Sequence, residues 1–154
     1  MIGINRQTDY AARLILYLAS KEPEERATAQ SIAKYELIPP AFVRRIVTRL
    51  SNAGLLKTTK GRTGGIELAR PASQISLLDV IEAIEGPLVL NECTENPEIC
   101  PFSDFCPVHK AFEEARASLE AQLRSYTFDK LAEDEKAALE LLAHKPPAEV
   151  SNAV

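Results

Sequence analysis

Three cysteines, Cys93, Cys100 and Cys106, and one of the two histidines, His109, fall within a single stretch, NECTENPEICPFSDFCPVHK from Asn91 to Lys110. Six and then five residues separate the cysteines, and His109 stands three past the last. Pro97, Pro101 and Pro107 punctuate the run, which predicts mostly loop. Thiolates gathered in so short a loop suit a bound metal ion or an iron–sulfur cluster, since thiolate is the usual cluster ligand. At the start of a helix, Cys106 and His109 can face the same way, so the imidazole is a candidate fourth ligand. Three cysteines and a histidine also match a closed zinc site. Zinc ligand pairs, however, usually sit about two to four residues apart, and no C-x-x-C occurs here. Zinc is therefore the alternative occupant.

The chain that must position this stretch has 154 residues, enough for one domain or for a small domain with an added arm. It can bury a core without help from disulfides. A hydrophobic fraction of 45% and a charged fraction of 26% are ordinary for a globular protein. The start, MIGINRQTDY, lacks the features of a signal peptide, and no apolar run approaches the ~20 residues of a membrane span. A cytoplasmic location is expected, where thiols stay reduced and clustered cysteines point to metal or redox chemistry rather than to a disulfide. The net charge of −4 hides an asymmetry: residues 1–70 carry twelve Lys/Arg against six Asp/Glu, and residues 71–154 carry six against sixteen. A basic half joined to an acidic half suggests that the first meets a polyanion.

Periodicity places the elements. A helix is expected from about Thr8 to Ser20, with Thr8 as cap, Asp9 at its positive end, and Tyr10, Leu14, Tyr17 and Leu18 on one apolar face. A shorter helix follows Thr28, with Ile32, Ala33 and Leu37 inward, and Glu36 to Pro39 reads as a tight turn. The third helix opens on Pro39-Pro40 and stops at Gly54. Its apolar stripe is Phe42, Val43, Ile46, Val47 and Leu50, which leaves Arg44, Arg45, Thr48 and Arg49 opposite. Helix, turn and cationic helix make a helix-turn-helix. Leu55–Thr59 and Ile66–Ala69 then pair across Lys60-Gly61-Arg62-Thr63-Gly64-Gly65, a basic hairpin placed as a wing. The glycines form no nucleotide loop, because neither GxGxxG nor GxxxxGK[ST] is present. Ser76 caps a helix with Leu77, Val80, Ile81 and Ile84 inward, closed by Gly86. After the cysteines, Pro107 opens a long helix to about Tyr126. Val108, Phe112, Ala115, Leu119, Leu123 and Tyr126 give it an apolar seam that suggests dimerisation. A last helical stretch covers about 128–143, and 144–154 reads as a frayed tail.

With these elements in order, the chain resembles the IscR/NsrR family of bacterial winged-helix transcription regulators. The resemblance runs from TDYAAR in the first helix to the end of the long helix. It is carried most specifically by the wing, KGRTGGIELARP, and by ISLLDVIEAIEG after it. Lys60 stands where arginine is usual, and six rather than the common five residues lie between Cys93 and Cys100. The resemblance implies a mainly α fold with a small β-hairpin. A winged helix-turn-helix domain over 1–86 would be followed by a cysteine cluster loop over 87–109 and a dimerisation helix with a C-terminal segment over 107–143. It further implies a homodimer on a palindromic double-stranded DNA operator, controlled by an iron–sulfur cluster and most simply a repressor. Relatives respond to nitric oxide, to iron or cluster supply, or to redox state. Some lack a cluster and report on cysteine metabolism.

Within that frame Cys93, Cys100 and Cys106 are the expected cluster ligands, and the fourth has two candidates. His109 resembles the arrangement in which a histidine completes a 2Fe–2S site. Asp9, within TDYAAR, resembles an aspartate that reaches a 4Fe–4S cluster from the partner subunit. For DNA, Arg44, Arg45 and Thr48 are the base-edge candidates in the major groove. Lys60 and Arg62 are candidates for phosphates or the minor groove, with Thr28 at a helix N-terminus helping to hold a phosphate. A redox protein using the same cluster is the rival reading. It is disfavoured because the chain shows no nucleophile–base pairing and no cofactor motif, and its basic half would be unexplained. No enzymatic activity is expected.

Overall fold

A computed structural model describes residues 3–22, 27–61 and 64–143. Helix α1 spans Arg6–Ala19, α2 Ala29–Tyr35 and α3 Pro40–Asn52. Strands β1, Leu56–Thr59, and β2, Gly65–Leu68, follow. Then come α4, Leu77–Glu85; the single turn α5, Glu92–Glu95; α6, Pro107–Ser125; and α7, Phe128–Ala143. This is a mostly helical winged fold with one antiparallel hairpin. The expected tail and Arg62 lie outside the described residues.

Local chemistry accounts for most boundaries. Thr28 and Ser31 form a reciprocal capping box at α2, and Ser76 and Asp79 do the same at α4. Helix α1 corrects the expectation that Thr8 is its cap. Asn5 is the N-cap, its side-chain oxygen accepting from Gln7 N at 2.8 Å and Thr8 N at 3.0 Å. Thr8 is instead a buried residue of the first turn, donating from its hydroxyl to Glu85 at 2.6 Å. Both α2 and α3 end in Schellman turns, closed by Ile38 N to Ala33 O at 3.0 Å and by Leu55 N to Leu50 O at 2.9 Å. The left-handed position after α3 is Gly54, but after α2 it is Leu37, at φ 53°. That conformation turns the side chain out, so Leu37 is 83% exposed rather than part of the apolar face expected for it.

One core joins the elements: Leu14 and Ile15 of α1, Ile32 of α2, Val43, Ile46 and Leu50 of α3, Leu55, Leu56 and Ile66 at the hairpin, and Val80 and Ile84 of α4. Phe42 and Val47, expected on the buried stripe of α3, pack at its edge. The hairpin register pairs Leu56 with Leu68 and Thr59 with Gly65, and Ala27 bridges to Ile66 on the other side. Helix α7 returns to this core. Thr127 bridges to Ser76, Phe128 N donates to Ile75 O at 3.0 Å, and the Phe128 ring is 1% exposed. Helix α6 contrasts with it: it lies against α4 and α5 and contributes no buried residue.

Candidate functional site

The cysteine stretch leaves α4 at Gly86 and runs through α5 and two further single turns, Pro97–Ile99 and Ser103–Phe105, to α6. Loop was expected, and these short turns are what a proline-punctuated loop adopts when its backbone bonds close locally. Cys93 lies on α5, and Cys106 is the N-cap of α6. The Cys106 sulfur accepts from His109 N at 3.5 Å, at the N-terminal end of a helix whose dipole favours an anion. Pro107 takes the first helical position, where its missing N–H is harmless.

Helix α6 then turns the His109 ring inward. Its side chain is 11% exposed, with Nδ1 3.4 Å from Cys93 Sγ and Nε2 3.7 Å from Glu113. His109 therefore links two of the cysteines, Cys93 through its ring and Cys106 through its backbone N–H, across sixteen residues of chain. Cys100 is fixed through its backbone: its N–H donates to Pro97 O at 3.3 Å, and its carbonyl accepts from the Ser103 hydroxyl at 3.0 Å. All three thiols are free and half-buried. Among the described residues no three Cys, His, Asp or Glu side chains converge closely enough to hold one metal ion. Ile99, Phe102, Phe105 and Val108 form an exposed apolar rim, with Phe102 and Phe105 packed edge to face.

Asp9 lies elsewhere, on the first turn of α1. Its side chain is 60% exposed and 3.7 Å from Arg13 one turn on. Sequence reasoning missed what Arg13 does next. Its guanidinium donates to Glu36 Oε2 at 3.3 Å and to the Glu36 backbone carbonyl, bracing the turn that sets α3 against α2. Burial raises the Glu36 carboxyl above the usual carboxylate range, and the bond from Arg13 opposes that rise.

On the DNA side, Arg44, Arg45 and Thr48 share the exposed face of α3, and the Thr48 hydroxyl donates to Arg44 O at 3.0 Å. Thr28 is exposed at the start of α2, with its hydroxyl oxygen accepting from Ser31 N at 3.0 Å. Lys60 is exposed at the end of β1. Arg49 is exposed on the expected side of α3, and its Nη1 also donates to Ile84 O on α4 at 2.5 Å. No spacing rule reveals that contact, since it depends on where a distant helix ends.

A family model described as Rrf2, iron-dependent transcriptional regulator, matches residues 4–134. The chain belongs to the Rrf2 family. Members of the Rrf2 family are DNA-binding transcriptional regulators, not enzymes. The chain is 36% identical over 129 residues to Protein aau3 of Rhizobium meliloti (strain 1021), covering 83% of each chain. It is 31% identical over 142 residues to the HTH-type transcriptional regulator NsrR of Oceanobacillus iheyensis, covering 92% of this chain and 97% of that protein. Among solved structures it resembles CymR, the global cysteine regulator of B. subtilis, with a TM-score of 0.69 and 26% identity over 86% of this chain and 98% of that one. These likenesses carry the winged-helix fold and the regulatory class of the Rrf2 family across nearly the whole chain. No helix among the described residues is long and apolar enough to cross a membrane.

Proposed function

We propose that this regulator holds an iron–sulfur cluster on Cys93, Cys100, Cys106 and His109, and that the cluster controls its affinity for a palindromic operator, which it binds as a homodimeric repressor. The observation that carries the reading is the near-buried His109 ring set against Cys93, with Cys106 at the foot of the same helix. The donor set fits such a group in kind: three thiols, which ligate as thiolates, and one imidazole. A bound cluster would supply iron that redox change or small reactive molecules can alter. The protein's own part is to hold these side chains at the junction between α4 and α6. Cys106 sits at the N-terminus of α6, and Glu113 lies 3.7 Å from the far nitrogen of His109. Asp9 is the alternative ligand, and its exposure on α1 is compatible with reaching a partner subunit. Its ion pair with Arg13 gives it a local role without a cluster.

On the DNA side, Arg44, Arg45 and Thr48 would read base edges while Lys60, Arg62 and Thr28 contact the backbone. A second reading is a cluster-free or zinc-stiffened regulator on the same fold, which the likeness to CymR, a cysteine regulator, keeps in view. Anaerobic purification followed by an absorption spectrum and iron, sulfide and zinc analysis separates the two. Coloured protein with iron and sulfide is expected, and operator affinity should change when the cluster is removed. Colourless protein with stoichiometric zinc, or no metal at all, would sink the cluster reading. Retention of iron in His109→Ala together with its loss in Asp9→Ala would move the fourth ligand to Asp9.

A further inference from the structure

The last turn of α4 is a junction. Its terminal carbonyls lack intrahelical donors, as at any helix C-terminus. The helix supplies no basic residue to that turn and ends on Glu85. The cation that arrives is Arg49, in the last turn of α3, whose guanidinium donates to Ile84 O at 2.5 Å and offsets the negative end of α4. On another side, Glu85 Oε1 accepts from Asn5 N at 3.0 Å and from the Thr8 hydroxyl at 2.6 Å, tying in the start of α1. Gly86 then leads out at φ 89° toward the cysteine stretch, beside an apolar groove that Leu119 and Leu123 of α6 also line. One helical turn thus meets α1, the DNA-reading helix and the way into the cysteine stretch.

By helical periodicity Arg49 belongs with Arg44 and Arg45 as a cation available to DNA. Among the described residues, however, those two show no side-chain bond comparable to the one Arg49 makes to α4. We propose that Arg49 is a positioning residue rather than a DNA contact: it fixes α3 on the end of α4, and so ties the DNA-reading face to the segment from which the cysteine stretch departs. The coupling half of this inference rests on the cluster reading above.

The test uses the full-length protein and a DNA duplex selected by wild type from a random library, titrated across a salt series. Arg49→Gln should weaken binding roughly tenfold at every salt concentration, with the salt slope unchanged. Arg49→Lys, which keeps a charged donor, should recover most of that loss. Lys60→Gln, the phosphate candidate, should lower the slope by about one. A lowered slope in Arg49→Gln, or binding equal to wild type, would overturn the proposal. The second measurement compares cluster-loaded with chelator-stripped protein. The ratio of their affinities should collapse toward one in Arg49→Gln, and an unchanged ratio would reduce Arg49 to a structural bond and overturn the coupling. If wild type itself shows no difference, the cluster reading fails, and the salt series alone decides whether Arg49 positions α3.

Discussion

Cys106 meets two demands on one sulfur: it caps α6 in this structure and ligates iron in the proposed function. Substitution separates them, because serine is among the best N-caps and a poor cluster ligand, whereas alanine is neither. Cys106→Ser should lose iron yet keep the denaturation midpoint of the metal-free protein, while Cys106→Ala should lose iron and about 1 kcal/mol besides. Equal destabilisation of both variants would show that the sulfur is not the cap. Leu37 poses a different question, since it holds a left-handed conformation that costs a non-glycine residue ~1–2 kcal/mol. Its side chain is exposed, so Leu37→Gly sacrifices little packing. A gain of about 0.5–1 kcal/mol in urea unfolding, with DNA affinity unchanged, is expected after the greater freedom of glycine in the unfolded chain is deducted. A loss of stability would mean that Leu37 packs on something these residues do not show.

Elements were legible where their signals were local. Thr28 and Ser76 announce their helix starts, and the structure completes each as a capping box, with Ser31 and with Asp79. The start of α1 was not legible, because Asn5 and Thr8 are both capping types. Glu85, 77 residues away, engages the Thr8 hydroxyl and leaves the cap to Asn5. The same limit hid Arg49 and the outward turn of Leu37: a helical wheel gives a residue's face but neither what approaches it nor where the helix stops. The three cysteines and His109 were conspicuous as residue types. Their meeting was less so, since it needs α6 to aim the ring at α5. The wing was legible from its glycines, and Gly64 shows why one of them is required. A Cβ there would lie 2.1 Å from the Thr59 carbonyl oxygen, so the backbone must move. Gly64→Ala should lower stability by about 1–3 kcal/mol and weaken operator binding at least several-fold. Measured together by thermal melts and DNA titration, unchanged values in both would show that the hairpin tolerates a different path.

At the scale of the whole molecule, the apolar seam on α6 lacks a cover among the described residues. Val108, Phe112 and Leu119 are exposed on a helix with no buried residue, and so is Tyr126 at its C-cap. A second copy of this helix is the simplest cover, and it would bring two α3 helices into one molecule, as a two-fold operator requires. Leu119→Glu should convert a dimer to monomer in sedimentation and cost operator affinity more than tenfold, because both half-sites no longer bind together. A wild-type protein that sediments as a monomer at micromolar concentration would remove the premise.

The return of α7 to the core has a consequence for how the protein is made. Leu14 and Phe128 belong to one core although more than a hundred residues separate them. Contacts so distant in sequence form late and slow folding. During synthesis the DNA-reading helices emerge well before the ring that completes their core, and a nascent chain stalled before Phe128 holds them around an unfilled site. The core beneath α2 and α3 is therefore complete only after the cysteine stretch and α6 have been made. The order of the elements along the chain thus places the cysteine stretch and α6 ahead of the residue that completes the core beneath α2 and α3.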